Sequence, residues 1–418
     1  MEKSGKFRLT SLERNWILYD VGNSAFVLMV ATLIPIFFNA LAAAGGLSSV
    51  EYLAYWGYAS SAVTVITAVL SPILGTVADT KGFKKPIFIL CVFVGIVGCC
   101  AMGAASAWLP FLVIFVIAKV GFSGSLVFYD SMLSDVTTPE RMDEVSSRGY
   151  AWGYIGSCVP FVVCLGLVLG AGSIGISQMT ALNLALLLTA AWWLLTTLPL
   201  LKSYKQIHYV EVEKHAVRQS FSRIGHTLRH LPEDKQVFWF LLAFFCYIDG
   251  VYTIIDMATA YGTALGLDTT GLLLALLVTQ IVAFPSALIF GRLSNKYPSA
   301  KLIPVCIAAY AGIAVFAFFL TQQWQFWVLA VIVGMFQGGV QALSRSHFAK
   351  IIPPEKSGEY FGLFDICGKG ASFLGTMIVS VGSQLTGSAN VGVGSLIVLF
   401  IVGFVLFRVS CKKEVVPE

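Results

Sequence analysis

Apolar residues dominate this chain in long runs separated by short polar gaps. The runs fall near 16–44, 52–78, 86–106, 108–134, 148–171 and 177–200, then near 237–262, 270–291, 302–321, 325–344, 359–384 and 390–408. About 20 mainly apolar residues are needed to cross the hydrocarbon core of a bilayer, so the pattern predicts twelve spanning helices in two sets of six. Backbone in hydrocarbon must satisfy its own hydrogen bonds, and the expected fold class is all-α integral membrane. The longest polar stretch, 201–236, divides the chain into a first half (1–200), a central loop (201–236) and a second half (237–418). The first run exceeds the apolar region of a signal peptide, and its start, Trp16-Ile17-Leu18-Tyr19-Asp20, carries a charge, so it reads as an uncleaved first span.

Composition narrows the class further. With 57% hydrophobic and 12% charged residues and a mean hydropathy of +0.82, the chain is neither a soluble globular protein, nor disordered, nor a nucleic-acid binder resting on a basic surface. Of the 27 Lys and Arg, 25 fall in the amino terminus, the even-numbered gaps, the central loop and the carboxyl tail; Lys119 and Lys369 lie inside spans. Basic residues mark the cytoplasmic side, which predicts cytoplasmic termini and central loop in a multi-pass protein of the cell membrane. Trp56, Trp108, Trp324 and Trp327 fall at outer span ends and Trp16 and Trp239 near inner ends, as interfacial anchors. Eight of the nine cysteines lie in apolar runs without metal-ligand spacing and read as packing residues. His208, His215, His226 and His230 of the central loop also lack such spacing and read as a solvated connector, so neither metal nor cofactor is expected.

The two halves echo each other. Tyr19-Asp20-Val21-Gly22 in the first span matches Tyr247-Ile248-Asp249-Gly250 in the seventh, and the gap after the second span, from Gly75 through Asp79 and Gly82 to Lys84-Lys85, has a decayed copy from Gly291 through Asn295 to Lys301. Duplicated six-span units with a site between them are a recurring transporter plan. The Gly75-xxx-Asp79-xx-Gly82-x-Lys84-Lys85 pattern resembles the signature loop of the major facilitator superfamily; its copy departs at Asn295 and Pro298. The stretches Tyr19-Asp20 to Phe26, Phe128-Tyr129-Asp130, Asp249 to Ile254, Gly338 to Ser346 and Gly368-Lys369 are similar to the branch containing the fungal vacuolar amino-acid effluxer of autophagy. The resemblance covers essentially all spans. It implies the major facilitator fold, twelve helices in two pseudo-symmetric halves, and transport of a small solute. In that context Asp79, Lys84 and Lys85 imply a cytoplasmic latch between the second, third and eleventh spans, with Gly75 and Gly82 giving the tight turn.

Seven ionisable residues fall at membrane depth: Asp20, Lys119, Asp130, Asp249, Asp256, Asp365 and Lys369. Each such charge costs about 2.5 to 3.5 kcal/mol near a helix centre, which makes it a functional candidate. Asp249, Tyr252, Thr253 and Asp256 recur at i, i+3, i+4 and i+7 and share one face, which is expected to line a water-filled cavity or, alternatively, to hold a buried polar network. Gln337, Gln341 and Arg345 form a second stripe, with Gln337 and Gln341 as substrate hydrogen-bonding groups or interhelical links. Arg345 reads either as a snorkelling residue at the cytoplasmic end or as a gating one. Asp20, Asn23 and Ser24, with Tyr129 and Asp130, are substrate or coupling-ion candidates or partly solvated structural groups. Lys119 is expected to pair with a carboxylate or anchor an anionic group of the substrate. Asp365 and Lys369, one turn apart, are expected to pair with each other.

No phosphate-binding Gly-rich loop is present, so ATP is not the direct energy source. The reading is a secondary transporter, not an enzyme, that acts as a monomer in the lipid bilayer and moves a small metabolite, an amino acid or similar solute, with export favoured and protons as the coupling ion. The alternatives are a uniporter of the same fold, an intramembrane aspartyl protease using Tyr19-Asp20 or Tyr129-Asp130 with Asp365, or a receptor without flux.

Overall fold

The computed structural model describes residues 7–211, 224–227 and 229–411; a few helical side chains, Lys369 among them, lie outside the described set. The first span is α1 (Ser11–Ala31) and α2 (Leu33–Ala44), interrupted at Thr32. Then come α3 (Ser49–Ala78), α4 (Lys84–Gly103), α5 (Trp108–Ser131) with the short α6 (Leu133–Val136), α7 (Met142–Leu169) and α8 (Gln178–Ser203). The second half holds α9 (Lys235–Ala264), α10 (Thr269–Leu293), α11 (Ser299–Phe318), α12 (Gln323–Ile351), α13 (Ser357–Thr386), and α14 (Ala389–Gly394) with α15 (Ile397–Ser410) as the last span.

Four of the helix starts illustrate side-chain capping. Thr10 with Glu13, and Ser48 with Glu51, form reciprocal capping boxes, and the Asp234 and Asp268 side chains accept from the first turns of α9 and α10. Among the described residues eleven helices are long and apolar enough to cross a membrane. The twelfth expected span is α13, 30 residues long, which carries Glu359, Asp365 and Lys369.

The halves pack through α3 against α13 and α7 against α10 and α12. The α3–α13 crossing is a backbone contact: a Cβ on Gly75 would lie 2.1 Å from the Gly358 carbonyl oxygen, and one on Gly362 would lie 2.6 Å from Pro72 Cα. Gly75 therefore serves close approach within a helix rather than the turn expected of it. The turn belongs to Gly82, whose φ of +79° favours glycine.

Two further expectations are corrected. Trp16 is fully buried, stacked on Tyr129 at 4.3 Å with its Nε1 donating to the Tyr129 carbonyl, because α1 turns this face into the bundle. It is no interfacial anchor. The start of the central loop is not a solvated connector either: residues 204–211 fold back as a strap over the signature loop. Val210 N donates to the Asp79 carbonyl at 2.8 Å, Lys81 N donates to the Val210 carbonyl, and Gln206 bridges Gly82 N and the Ala78 carbonyl. His208 accordingly sits against Asp135 at 3.0 Å. His226 and His230 stack on each other, and His215 lies outside the described residues.

Candidate functional site

Hydrogen bonds between the halves concentrate at the end of the bundle where the chain ends, signature loop and central loop emerge, here called the basic end. Arg345 of α12 is its hub. It is 2% exposed, so the snorkelling alternative does not hold: the side chain reaches across to the first half instead of out to water. Its Nη1 lies 2.9 Å from Asp130 Oδ1 and 3.9 Å from Asp20 Oδ2, its Nε donates to Ser146 Oγ at 2.9 Å, and its Nη2 donates to the Ser146 carbonyl at 3.0 Å. The guanidinium also faces the rings of Tyr150, Trp16 and Tyr129 at 4.3, 4.7 and 5.4 Å. Asn23 donates to the Tyr19 carbonyl and approaches Asp20 at 3.4 Å.

Around this hub lies a ring of polar links. Asp79 accepts from Gly358 N at 2.7 Å and Glu359 N at 2.8 Å, holding the first turn of α13. Lys84 is fully buried, 3.6 Å from Asp79 and 3.9 Å from Asp135, and donates to Ser357. Burial pushes the Asp79 carboxyl up to about 6, with Lys84 and the two backbone donors opposing. Lys85 reaches the Tyr204 carbonyl in the strap. At the related position of the second half, Asn295 donates to Glu144 at the start of α7. The acid sits on the loop in one copy and on the helix in the other, so the replacement of Asp by Asn keeps the contact with its polarity reversed. Asp143, bound to Ser346 and Lys350, completes the seal. Asp135, Asp143, Glu144 and Ser146 had no place in the sequence reading, since acids in a short polar gap look like ordinary loop charges.

The stripe on α9 splits. Asp249 is fully buried and accepts from Gly375 N of α13 through both oxygens at 2.9 Å, with Thr253 donating to it at 3.3 Å. A glycine at 375 lets α13 approach there, so Asp249 and Thr253 form the buried network and do not face a central cavity. Asp256, two turns on, is exposed, and Tyr252 is partly so. The charged group acting on Asp256 is Lys119 of α5, in the other half; Lys119 itself lies against the rings of Phe122 and Phe26. Gln341 accepts from Tyr154 of α7 at 3.3 Å. Gln337, 5% exposed with Oε1 lacking a hydrogen-bond partner, lines an apolar crevice inside the second half together with Thr253. Asp365 accepts from Ser71 of α3 at 2.8 Å, a further link between halves; its expected partner Lys369 lies outside the described side chains. Among the described residues no cluster of His, Cys, Asp and Glu suited to a metal occurs.

The fold matches solved transporters closely in shape and distantly in sequence. The human organic anion transporter MFSD10 superposes with a TM-score of 0.72 at 14% identity over 95% of this chain and 98% of that one. The major facilitator superfamily transporter FucP in its outward conformation gives 0.71 at 16% identity over 96% and 98%. In sequence, the MFS-type transporter YxiO of Bacillus subtilis (strain 168) is 42% identical over 96% of this chain and 94% of its own length. The autophagy-related protein 22 of Coccidioides immitis (strain RS) is 25% identical over 64% of this chain, which spans about half of that longer protein. The family described as vacuole effluxer Atg22 like matches residues 47–414. The chain belongs to this Atg22-like family and is a major facilitator superfamily transporter.

Proposed function

We propose that this transporter moves a small zwitterionic metabolite, an amino acid or close analogue, by alternating access, with export as its direction and protons as its coupling ion. The carrying observation is the placement of Lys119 and Asp256: opposite charges, contributed by opposite halves, the first half-buried and the second exposed, beyond the sealed basic end. In the empty protein each offsets the other's cost of lying at membrane depth. A zwitterion takes over both roles, its carboxylate meeting Lys119 and its ammonium Asp256, and so bridges the halves with no net charge left over. Tyr252, Tyr154 and Gln341 supply neutral hydrogen-bonding groups beside them. The fungal relatives are named for autophagy, and the family description supplies the word effluxer, which supports export. The distribution of basic residues supports a cell-membrane protein with its basic end in the cytoplasm.

Thermal melting of the purified monomer with each common amino acid tests the site. A ligand at 100 times its Kd stabilises the native state by about 2.7 kcal/mol. The shift should appear for a subset of amino acids and vanish in both Lys119→Met and Asp256→Asn. A shift retained in both variants refutes the assignment.

A further inference from the structure

The crevice inside the second half has no part in the proposed transport path. Its walls come from α9 through α14, with Leu276, Ile313, Leu329 and Val333 among the apolar side chains that face it, and about 680 Å³ lie free of atoms, the mouth included. Ligand sites in proteins span about 300–1,000 Å³ and are mostly apolar with a few placed polar groups. One side is fixed by backbone: a Cβ on Gly334 of α12 would stand 2.7 Å from the Thr279 carbonyl oxygen of α10. Those two helices are already in contact, so they cannot move closer to fill the space.

The polar groups in the wall decide what fits. No charged side chain lines it among the described residues, so an ionic occupant would be desolvated without a partner. Three hydroxyl protons are committed elsewhere. Thr253 donates to Asp249 at 3.3 Å, Tyr261 to the Ala317 carbonyl at 2.6 Å, and Thr279 to the carbonyls of Ala275 and Ala330 at 3.0 and 3.2 Å. Gln280 is half-buried. Gln337 differs: it is 5% exposed, the nitrogen end of its amide faces the Tyr154 hydroxyl, and its Oε1 is buried without a hydrogen-bond partner. Leaving a buried acceptor unmet costs more than a satisfied one returns. A water beside it needs two to four polar partners in a wall that is mainly apolar. An organic molecule with an apolar body and one donor answers the acceptor and the wall together.

We propose that this crevice is a second ligand site, for a neutral, mainly apolar molecule with a single O–H or N–H donor, of the phenol or indole class, whose donor meets Gln337 Oε1. The site is separate from the one at Lys119 and Asp256. Asp256 is exposed on the same stretch of α9 yet does not line the crevice, and none of the described residues of the first half does. Cargo in this fold binds between the rocking halves. A site walled by one half moves with that half, so its occupant is held rather than carried across.

Fluorine NMR titration of the purified protein in detergent compares 4-fluorophenol with 4-fluorotoluene, which match in size and differ in the donor. Wild type should bind both saturably, the phenol about 2- to 12-fold more tightly, the worth of one net hydrogen bond. Gln337→Leu should still bind the toluene and lose the preference for the phenol. Ala330→Trp, which fills the crevice from α12, should abolish saturable binding of both; should that variant fail to fold, Ala330→Leu narrows the same space and should weaken both. Lys119→Met and Asp256→Asn should bind both probes as wild type does. Absence of saturable binding to wild type, a preference for the phenol that survives Gln337→Leu, or binding unchanged by substitution at Ala330 would overturn the proposal. Loss of binding in Lys119→Met and Asp256→Asn would put the probes in the zwitterion site and overturn it as well.

Discussion

Gly75→Ala places a methyl group where the two halves touch through backbone. The new Cβ would lie 2.1 Å from Gly358 O and 2.7 Å from its carbonyl carbon, and neither atom belongs to a side chain that can rotate away. The helices must separate by about 1 Å to relieve this overlap, along a crossing that also carries the Asp79 bonds to Gly358 and Glu359. Overpacking of this kind costs about 1–3 kcal/mol. In the proposed alternating-access cycle α3 and α13 part when the basic end opens, so the cost falls on the sealed conformation. The sealed-to-open ratio should therefore drop by about 5- to 150-fold, with little loss of overall stability. Spin labels at Glu140 and Lys296, exposed positions on opposite halves at the basic end, report the distance between them on a cysteine-free background. Wild type should give one short-distance population, and Gly75→Ala a dominant longer one. An unchanged distance distribution in a folded variant would refute the view that the seal depends on this contact.

Three further outcomes follow from the same contacts. Val210→Pro removes the donor to the Asp79 carbonyl and about 1 kcal/mol of strap stability; the Lys81 amide, bound to the Val210 carbonyl, should exchange its hydrogen faster, while amides in the cores of α4 and α5 should not. Asp249→Asn weakens the acceptor for Gly375 N and should cost about 1–2 kcal/mol in detergent melting while keeping the amino-acid shift that Asp256→Asn loses. Asp79, ordinarily near 3.8, titrates at about 6 where it is buried in the seal, so the sealed state carries the extra proton. That advantage is complete below 3.8 and disappears as pH rises through 6. The sealed fraction should grow on acidification from pH 7 to 5, and Asp79→Asn should remove this component of the dependence in the same spin-label measurement.

The span pattern was legible because length, hydropathy and the sidedness of Lys and Arg each constrain it independently, and the repeat at Asp79 and Asn295 located matching loops in the two halves. Rotation about helix axes was not legible. Arg345 sits near the end of an apolar run, where snorkelling and insertion predict the same sequence; Trp16 and Tyr129, which make its box, lie far away in the chain. Asp249 and Asp256 occupy one stripe, yet among the described contacts α13 hydrogen-bonds the first of them, through a glycine at 375 that nothing on α9 announces. The strap hides behind composition: Tyr204, Ile207 and Val210 are a sparse apolar signal at the start of a polar stretch, and its bonds are made largely by backbone. Lys119 stood out in the sequence because no other cation of the first half lies at membrane depth, but its counterpart emerged only when the halves were brought together.

Flux through Lys119 and Asp256 is the central claim, and counterflow in proteoliposomes tests it most directly. Vesicles loaded with an unlabelled amino-acid mixture and diluted into a trace of the same mixture, radiolabelled, should accumulate label with wild-type protein. Accumulation should fall to the protein-free level in Lys119→Met and in Asp256→Asn, with both variants shown folded by melting. Label accumulation equal in wild type and both variants, or absent from wild type for every common amino acid, would contradict the account.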